Sequence, residues 1–525
     1  MMQSLRHSLQ LLKVARVLSR HDALFPRELL DASPPGFRTA RRLTRLGIPL
    51  WAGTRGDDAG KTPGQRLTSA LQSLGPSYIK LGQSLATRPD LVGDEVADAL
   101  SELQDHLPPF PGETARQILA DELMAPVETL FQSFDDEPVA AASIAQVHFA
   151  VTSDGDPVAV KILRPDVEAA FARDLEPMFW IAAKLEALQP EMRRLRPCEI
   201  VRTFAESVEI EMDLRLEAAA AVELRENALA SDEGFIIPEV DWRRTGRRVL
   251  TTERVAGLQI TDRDALGAAG HDTRDLAAKL LRGFLSQAMG DGFFHADLHP
   301  GNLFVTPEGE IAAVDFGIMG RLDKSSRRYL AEILLGFVRA DYASVARVHF
   351  DAGYVSRAKS PELFAQAMRA VGEPVLGRPA KEISLSRMLA QLFQVTKTFD
   401  MKTQPQLLLL QKTMVVAEGV TQQLDPDVNT WEIMAPLVER MMHAHFSPAA
   451  RARDVLDEGI DAVRRLPEFI SRAERAVEAI ADGTVQLDPE SIERLSKANK
   501  RHIGSFTITL WLLMAFAAGI ALALW

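Results

Sequence analysis

Four polar side chains in the middle of the chain have the types and spacing that phosphate chemistry requires. Lys161 closes an apolar, strand-like run, and a lysine there can neutralise phosphate charge. Asn302 follows Asp297 by five positions, and Asp315 follows it by 18. Asn302 and Asp315 offer oxygen ligands, which Mg²⁺ prefers, and Asp297 can accept a proton from an attacking hydroxyl group or water. The set predicts a site for ATP, or ADP, with Mg²⁺, in which Asp297 is the catalytic residue, Lys161 binds nucleotide and the other two residues hold the metal.

These residues stand in motifs that match those of protein kinases, in the same order along the chain. The matches are Val158-Ala159-Val160-Lys161 for the strand lysine, His295-Ala296-Asp297-Leu298 with Asn302 for the catalytic loop, and Asp315-Phe316-Gly317 for the metal-binding motif. Any one of them can arise by chance. The ordered set, with strand patterns around it, predicts a kinase-like fold.

The nucleotide-facing loop departs from that of ordinary kinases. No glycine-rich loop precedes Lys161, and an alanine-rich stretch stands in its place: Ala140, Ala141, Ala142, Ser143, Ile144, Ala145, Gln146 and Val147. Side chains restrict such a loop and crowd its backbone against phosphate, so we expect it to bind ATP with a different geometry or selectivity. Glu253 and Val255 follow the strand-like run Val249–Thr252 and are expected to contact adenine through their backbone.

The segment after Gly317 also differs from that of a kinase that phosphorylates proteins. Ala296 replaces the usual arginine of the catalytic loop, and a helical pattern begins near Lys324, which leaves no activation segment of normal length. The peptide-docking platform is therefore expected to be missing. His295 and His299 lack the further partners of a metal site, and we expect them to orient the loop.

The surrounding patterns predict an α+β, two-lobed protein-kinase-like fold. Strands are predicted within 139–163, within 234–256 and on both sides of the catalytic loop, and the other segments with helical patterns are 61–130, 165–230, 274–292 and 322–500. In the last of these, breaks are predicted near 351–361, 372–379 and 424–428.

Composition and charge narrow the class of protein. The 525 residues are 46% apolar and 25% charged with one cysteine, Cys198, which excludes a mostly disordered chain, a multi-span membrane protein and a disulfide framework. Residues 1–66 carry 12 Lys/Arg and 5 Asp/Glu, a charge of +7, which leaves −19 on the remainder. The first 20 residues have the spacing of an amphipathic helix, which either lies at a membrane surface or packs on the body of the protein.

The C-terminal end predicts a membrane anchor. Residues 503–525 contain no charged side chain, and as a helix they would span about 35 Å, enough for a hydrocarbon core of ~30 Å. Arg494, Lys497, Lys500 and Arg501 precede this segment, which places the body of the protein in the cytoplasm by the positive-inside rule. The predicted location is the inner, cytoplasmic membrane, and no nucleic-acid partner is expected.

Further motifs resemble the UbiB/ADCK family of atypical, kinase-like proteins. Lys80-Leu81-Gly82-Gln83 resembles the family's K-x-G-Q motif, residues 140–148 its alanine-rich loop, and Glu211-Met212-Asp213 its E-x-D motif. The resemblance covers about residues 60–440 and the tail. It implies that Lys80 and Gln83 enter the pocket from an extension. One of two glutamates should pair with Lys161: we favour Glu217, with Glu211 and Asp213 near Lys80 and the metal.

The resemblance, together with the patterns above, divides the chain into six parts. They are a basic amphipathic region (1–60), a helical extension with the K-x-G-Q motif (61–130), an N lobe (131–258), a C lobe (259–440), a helical linker (441–502) and the transmembrane helix (503–525).

The resemblance also implies a function. Bacterial members of the family support ubiquinone biosynthesis as ATPases or unorthodox small-molecule kinases at the membrane, and have been assigned to the polyprenylphenol hydroxylation stage. The implied partners are membrane lipids, polyprenyl-phenol and quinone precursors, and the ubiquinone biosynthetic enzymes, and a homodimer stays open. The alternatives are a nucleotide-sensing scaffold without turnover and a protein kinase acting in trans.

Overall fold

A computed structural model describes residues 60–86, 94–101, 108–188, 197–231, 233–376 and 404–429, together with single positions before, between and after these ranges. All of them belong to the first of the two units into which the chain divides, residues 1–443. Most of the basic N-terminal region, the whole predicted linker and the whole predicted transmembrane helix lie outside the described residues. Within the part of the chain that is described, no helix is long and apolar enough to cross a bilayer.

Three helices form the extension: α1 (Pro63–Leu74), α2 (Pro76–Ala86) and α3 (Asp94–Ser101). Thr62 begins α1 with a reciprocal cap, in which its hydroxyl accepts from the Gln65 amide and the Gln65 side chain accepts from the Thr62 amide. On α2, Gly82 allows close helix packing, because a Cβ there would overlap the side chains of Leu71 and Leu103. The helical pattern predicted for this region is confirmed in its described part.

The N lobe is built on an antiparallel sheet in the order β1-β3-β4-β5, with β2 paired to β3. Its elements are α4 (Gly112–Leu123), α5 (Val127–Leu130), β1 (Phe131–Phe134), β2 (Ala140–Ala141), β3 (Ala145–Thr152), β4 (Pro157–Leu163) and β5 (Val249–Glu253). Alternate residues of β3 and β4 pack under α4 in one core that contains Phe110, Leu119, Phe131 and Val160. The predicted boundary at residue 131 therefore falls inside a single packed core.

In the described part of the connection from β4 to β5 there are three helices: α6 (Val167–Leu188), α7 (Pro197–Glu211) and α8 (Leu214–Leu229). The helical conformation is interrupted between α7 and α8. There the Asp213 side chain accepts a hydrogen bond from the Arg215 amide and caps α8. The E-x-D motif thus spans the end of one helix and the cap of the next.

The strands predicted within 234–256 form only in part. β5 is present, whereas Ile236 and Val240 each make a single bridge and residues Trp242–Arg244 form a 3₁₀ turn. The Asp241 side chain accepts from the Arg243 amide and from the Arg244 guanidinium. These local bonds offer the backbone an alternative to a strand ladder.

The C lobe is mainly helical, with two small sheets of short strands. Its elements are β6 (Leu258–Gln259), α9 (Arg263–Ala268), α10 (Thr273–Leu285), β7 (Phe293–His295), β8 (Leu303–Val305), β9 (Ile311–Ala313), β10 (Met319–Arg321), α11 (Lys324–Val338), α12 (Tyr342–Asp351), α13 (Pro361–Leu376) and α14 (Pro405–Leu424). A π-helical turn, Ser286–Asp291, joins α10 to β7. One sheet has the order β6-β8-β9, the other pairs β10 with β7, and α14 packs on α10.

The breaks predicted in the C-terminal helical region coincide with helix ends in the described part of the chain. α12 ends at Asp351 before α13 begins at Pro361, α13 ends at Leu376, and α14 ends at Leu424. Of the range 372–379 in which the second break is predicted, residues 377–379 lie outside the described residues. Within α13, a Cβ at Gly372 would overlap the Tyr342 ring, so this glycine allows two helices to pack closely.

Candidate functional site

Lys161 is the centre of a compact ionic group between the lobes. It lies on β4, opposite Val147 of β3 and Leu250 of β5. Its ammonium group donates to both carboxylate oxygens of Glu217 on α8, at 2.8 and 3.0 Å, and to Asp315 Oδ1 at 3.0 Å. The predicted pairing of Lys161 with Glu217 is confirmed by these contacts.

The charges of this group determine each other's protonation. Burial opposes charge on all three side chains, yet Asp315 and Glu217 together raise the pKa of Lys161. Lys161 in turn holds the pKa of Asp315 at about 2, against the effect of burial. Burial raises the pKa of Glu217, although Lys161 opposes this shift. Asp315 and Lys161 are therefore both charged at neutral pH.

Asp315 is held in a backbone conformation that L residues seldom adopt. Its φ is 64°, in the left-handed region where aspartate is several-fold enriched. The Gly317 amide donates to its Oδ1 at 3.3 Å, and the Val314 amide donates to the Asn302 carbonyl at 2.9 Å. In this conformation the half-exposed carboxylate of Asp315 faces Lys161. The hydrogen bond from the Val314 amide holds Asn302 at the end of the same strand, β9.

The catalytic loop is fixed by hydrogen bonds to its own members. Asn302 Nδ2 donates to the Asp297 carbonyl at 3.1 Å and lies 3.4 Å from Asp297 Oδ2. His295 is buried, its Nδ1 accepts from the Asp297 amide, and its Nε2 donates to the Val314 carbonyl. Burial lowers the pKa of His295, which suits the neutral ring that this bonding pattern needs. The exposed His299 accepts from the Gly301 amide.

Two residues that sequence reasoning missed support this loop from outside. Gln287, in the π-helical turn, accepts from the His295 amide at 3.0 Å through its buried side chain. Thr413, on α14, has its hydroxyl 3.0 Å from the Ala296 carbonyl and 2.8 Å from the Leu409 carbonyl of its own helix, and its one proton is shared between these two acceptors. Neither lies in a local pattern that indicates its role, because each reaches the loop through the tertiary fold.

The alanine-rich stretch is part hairpin and part turn. Ala140 and Ala141 form β2, residues Ala142, Ser143 and Ile144 form the turn, and Ala145, Gln146 and Val147 begin β3. Ala140 is exposed and Val147 is half-buried on the same face as Lys161, whereas Ser143, Ala145 and Gln146 are buried.

Gln146 corrects one expectation about this stretch. Its side chain lies within the core, where its amide oxygen accepts from the Phe110 amide at 3.1 Å and its amide nitrogen donates to the Phe110 carbonyl at 3.2 Å. The Gln146 side chain is therefore engaged in structural contacts and does not present polar atoms to a nucleotide.

Residues 253–255 connect the two lobes, and the backbone amide and carbonyl groups of this connection are the ones expected to contact adenine. The Glu253 amide donates to the Glu239 carbonyl and the Arg254 amide to the Pro157 carbonyl. Within the described part of the chain, no backbone hydrogen bond engages the amide or carbonyl of Val255. The Arg254 guanidinium lies 3.7 Å from the centre of the Phe149 ring, which fixes the connection against β3.

The extension contributes Lys80 through an ion pair. Lys80 Nζ lies 2.7 Å from Glu211 Oε2, with both side chains 14% exposed, and Gln83 lies half-buried on the same helix. Asp213 was expected near Lys80 and the metal, and the contacts of its carboxylate are with Arg215, a bidentate pair at 2.6 and 2.8 Å. As the cap of α8 it holds the helix that carries Glu217.

The donor set fits a magnesium–nucleotide complex. Mg²⁺ is commonly held by one or two carboxylates together with phosphate oxygens and water. Asp315 supplies an ionised carboxylate, and the bond from Asn302 Nδ2 to Asp297 leaves the Asn302 amide oxygen as its metal-binding atom. Among the described residues, no cluster of three or more His, Cys, Asp or Glu side chains could hold a metal alone.

Two lobes, a lysine–glutamate pair and an H-x-D loop facing a DFG aspartate define an atypical kinase-like protein. The family described as the ABC1 atypical kinase-like domain matches residues 102–349, and the UbiB helical domain matches residues 368–429. The chain belongs to the UbiB family of atypical kinase-like proteins.

Curated relatives support this assignment over most of the chain. A "Probable protein kinase UbiB" of Marinobacter nauticus is 40% identical over 428 residues, which cover 81% of this chain and 77% of the relative. Another, of Xylella fastidiosa, is 39% identical over 440 residues, or 83% and 78% of the two chains. A third, of Vibrio cholerae, is 41% identical over 401 residues, or 75% and 74%.

A solved structure has the same fold. It is the complex of Rv3197 with erythromycin from Mycobacterium tuberculosis, which matches with a TM-score of 0.50 and 24% identity over 79% of this chain and 100% of that chain. At this identity the likeness supports the fold alone.

Proposed function

We propose that this protein binds ATP with Mg²⁺ between its lobes and uses it, as an ATPase or a small-molecule kinase, in ubiquinone biosynthesis. The observation that carries the proposal is the contact of Lys161 with both Glu217 and Asp315, next to the loop that holds Asp297 and Asn302. A scaffold that never engages nucleotide has no physical need for this group.

Each residue has a role that follows from its contacts. Lys161, held by Glu217, would bind the α- and β-phosphates, and Asn302 and Asp315 would hold Mg²⁺, which when bound neutralises charge on the transferred phosphate. Because the pKa of Asp315 is about 2, this ligand is ionised before the metal arrives. Asp297, placed by His295 and Asn302, would orient the attacking oxygen and accept its proton. The alanine-rich hairpin would cover the phosphates, and the backbone of Glu253 and Val255 would bind the adenine.

The chain after Gly317 favours water or a small molecule as the phosphoryl acceptor. β10 pairs with β7 directly after the DFG motif, and Asp323 caps α11 two residues after β10 ends. The described residues between the DFG motif and α11 are too few for an activation segment of normal length, which in other kinases helps to dock a peptide. The relatives' printed name keeps a protein substrate as the alternative.

The proposed place of action is supported by the family and by the composition of the two terminal segments. We propose that the protein acts at the cytoplasmic face of the inner membrane, anchored by residues 503–525, on or beside polyprenyl-phenol and quinone precursors. Its partners would be the pathway's enzymes, with the hydroxylation stage as the point of action. An anionic bilayer would attract the basic arm and the basic residues before the tail.

The test is Mg²⁺-dependent phosphate release by the full chain in detergent, with and without anionic vesicles and a phenolic precursor mimic. Asp315→Asn should abolish turnover, whereas Asp264→Asn, an exposed aspartate of the C lobe, should retain it. If the protein binds nucleotide but shows no turnover under any condition, the proposal of an enzyme would be overturned in favour of a nucleotide-sensing scaffold. Label transferred to added proteins in an Asp297-dependent manner would establish the protein-kinase alternative.

The pathway is tested separately in cells. Deletion of the coding sequence should lower ubiquinone and accumulate a polyprenyl-phenol precursor, and the wild-type chain should restore both. Unchanged ubiquinone after deletion would overturn the pathway assignment while leaving the nucleotide chemistry standing.

A further inference from the structure

The turn of the alanine-rich stretch is bound to a distant segment by one arginine. Arg164, the residue after β4, donates through Nε to the Ala142 carbonyl at 2.9 Å and through a terminal nitrogen to the Pro108 carbonyl at 3.0 Å. Its backbone amide donates to the Ile144 carbonyl at 2.8 Å. One planar guanidinium therefore joins the turn at residues 142–144 to the segment at residues 108–110.

A glutamine joins the same two segments at a second point. Gln146 engages both the amide and the carbonyl of Phe110, and its amide nitrogen lies 2.7 Å from His148 Nε2. His148 Nδ1 donates to the Asp135 carbonyl and the ring stacks on Phe134 at 4.9 Å. Gln146 is 1% exposed and His148 is fully buried, so this contact is rigid.

Residues 108–110 come shortly after the extension in the sequence and begin the described part of the N lobe. Phe110 belongs to the core that also contains Leu119 of α4 and Val160 of β4. Arg164 and Gln146 thus bind the turn that faces the proposed nucleotide to a segment anchored in the N-lobe core.

We infer that Arg164 and Gln146 are positioning residues that couple the alanine-rich turn to residues 108–110, so that a nucleotide which moves or orders one also orders the other. The inference rests on the proposed nucleotide site and concerns its regulation. A glycine-rich loop without such ties moves alone, whereas this turn cannot move without breaking bonds to residues 108–110. These bonds thereby hold the turn in one position, and that position changes nucleotide affinity.

Hydrogen exchange of the full chain tests this coupling, because the Phe110 amide is a local reporter. It is the only backbone amide in residues 108–111, which are otherwise proline, and it is bonded to Gln146. In the wild-type protein, ATP with Mg²⁺ should slow exchange of residues 140–146 and of the Phe110 amide together.

Arg164→Met removes the guanidinium and keeps the apolar stem. In this variant we expect exchange at residues 140–146 to rise about tenfold without nucleotide, the equivalent of one lost charge-assisted hydrogen bond. Nucleotide should then slow exchange in the turn without slowing it at Phe110, and the apparent KM for ATP–Mg²⁺ should rise more than kcat falls. Arg164→Lys, which can reach one carbonyl but not both, should be intermediate. Arg243→Met, at an exposed arginine of the same lobe, should match the wild type.

Three outcomes would overturn the coupling. They are a wild-type protein in which nucleotide protects the turn but not Phe110, an Arg164→Met variant in which both are still protected together, and an Arg164→Met variant whose exchange without nucleotide is unchanged. Failure of the proposed function has a different signature, because wild-type exchange would then not respond to ATP–Mg²⁺ at either segment, and that result would also overturn the coupling as a regulatory device.

Discussion

Glu211 and Glu217 lie six positions apart, and each carboxylate holds a different lysine. Glu211 lies 2.7 Å from Lys80 of the extension, and Glu217 lies 2.8 Å from Lys161 of the N-lobe sheet. The division is possible because α7 ends at Glu211 and α8 starts at Leu214. The two ion pairs therefore join the extension and the N-lobe sheet to the same junction between α7 and α8.

The Lys80–Glu211 pair should contribute more to stability than a surface pair. Lys80→Met leaves a buried carboxylate without its cation, which should lower the free energy of unfolding by about 1–3 kcal/mol. Burial already raises the pKa of Glu211 despite Lys80, and the variant should raise it further. A raised carboxylate pKa means that the folded state binds more protons, so the variant should regain stability as the pH falls toward 5.

Urea unfolding measures this effect, with Lys279→Met as the matched control. Lys279 pairs with Glu310 at the same 2.7 Å distance but is more exposed, so its loss should cost less than about 1 kcal/mol. Equal stability losses in the two variants would contradict the account of the Lys80 pair.

Thr413→Val should impair the catalytic loop from a distance. It removes the hydroxyl that donates to the Ala296 carbonyl and leaves a buried acceptor next to Asp297 without this partner, a cost of about 1–3 kcal/mol. We expect lower stability and a fall in kcat for phosphate release. Thr421→Val is the control, because the Thr421 hydroxyl bonds only to Ala417 within its own helix. Equal kcat values in both variants would show that Thr413 does not position the loop.

The Glu223–Arg321 pair should hold α8 against the strand that follows the DFG motif. The pair is bidentate, at 2.7 and 2.8 Å, and Arg321 also lies 4.3 Å from the Phe293 ring centre. Glu223→Arg should lower turnover because α8 carries Glu217, with a stability change below about 1 kcal/mol since the pair is exposed. The double variant Glu223→Arg/Arg321→Glu should recover part of the turnover. A double variant no better than the single one would contradict this role.

The sequence was sufficient to predict the kinase-like fold and the meeting of Lys161 with Glu217 and Asp315. Lys161, Asp297 and Asp315 stand in short motifs on strand ends and loops, and those local patterns determine their backbone setting. The preference for Glu217 over Glu211 agrees with the contact in the structure, and the structural reason for it is a helix break capped by Asp213.

What the sequence did not predict are contacts made by the tertiary fold. Gln146 belongs to a loop expected to face nucleotide, yet it is committed to Phe110, 36 positions away. Gly372 lies inside α13 and packs against Tyr342, 30 positions before it in the chain. No local pattern identifies such partners, because the residues that they contact are distant in the chain.

Acid should destabilise the C lobe through His349. The ring is 2% exposed, donates to the Val345 carbonyl and packs on Phe364, and burial lowers its pKa to about 4. Between pH 6.5 and 4 the unfolded chain binds the proton and the folded protein does not, so stability falls with pH. The expected loss is about 2 kcal/mol on going from pH 6.5 to 5.

His349→Phe removes this titration while filling a similar volume. Urea unfolding at both pH values should show a smaller difference for the variant than for the wild type. The same difference in the two proteins would contradict a neutral, buried His349.

The most direct test of the central claim is the equilibrium binding of ATP to the full chain, measured by calorimetry with and without Mg²⁺. We expect ATP to bind the wild type saturably. Mg²⁺ should raise the affinity for ATP about tenfold or more, because a charge-assisted contact is gained. In Asp315→Asn, Mg²⁺ should no longer strengthen binding. No binding to the wild type, or an equal effect of Mg²⁺ on the two proteins, would contradict the site built from Lys161, Glu217 and Asp315.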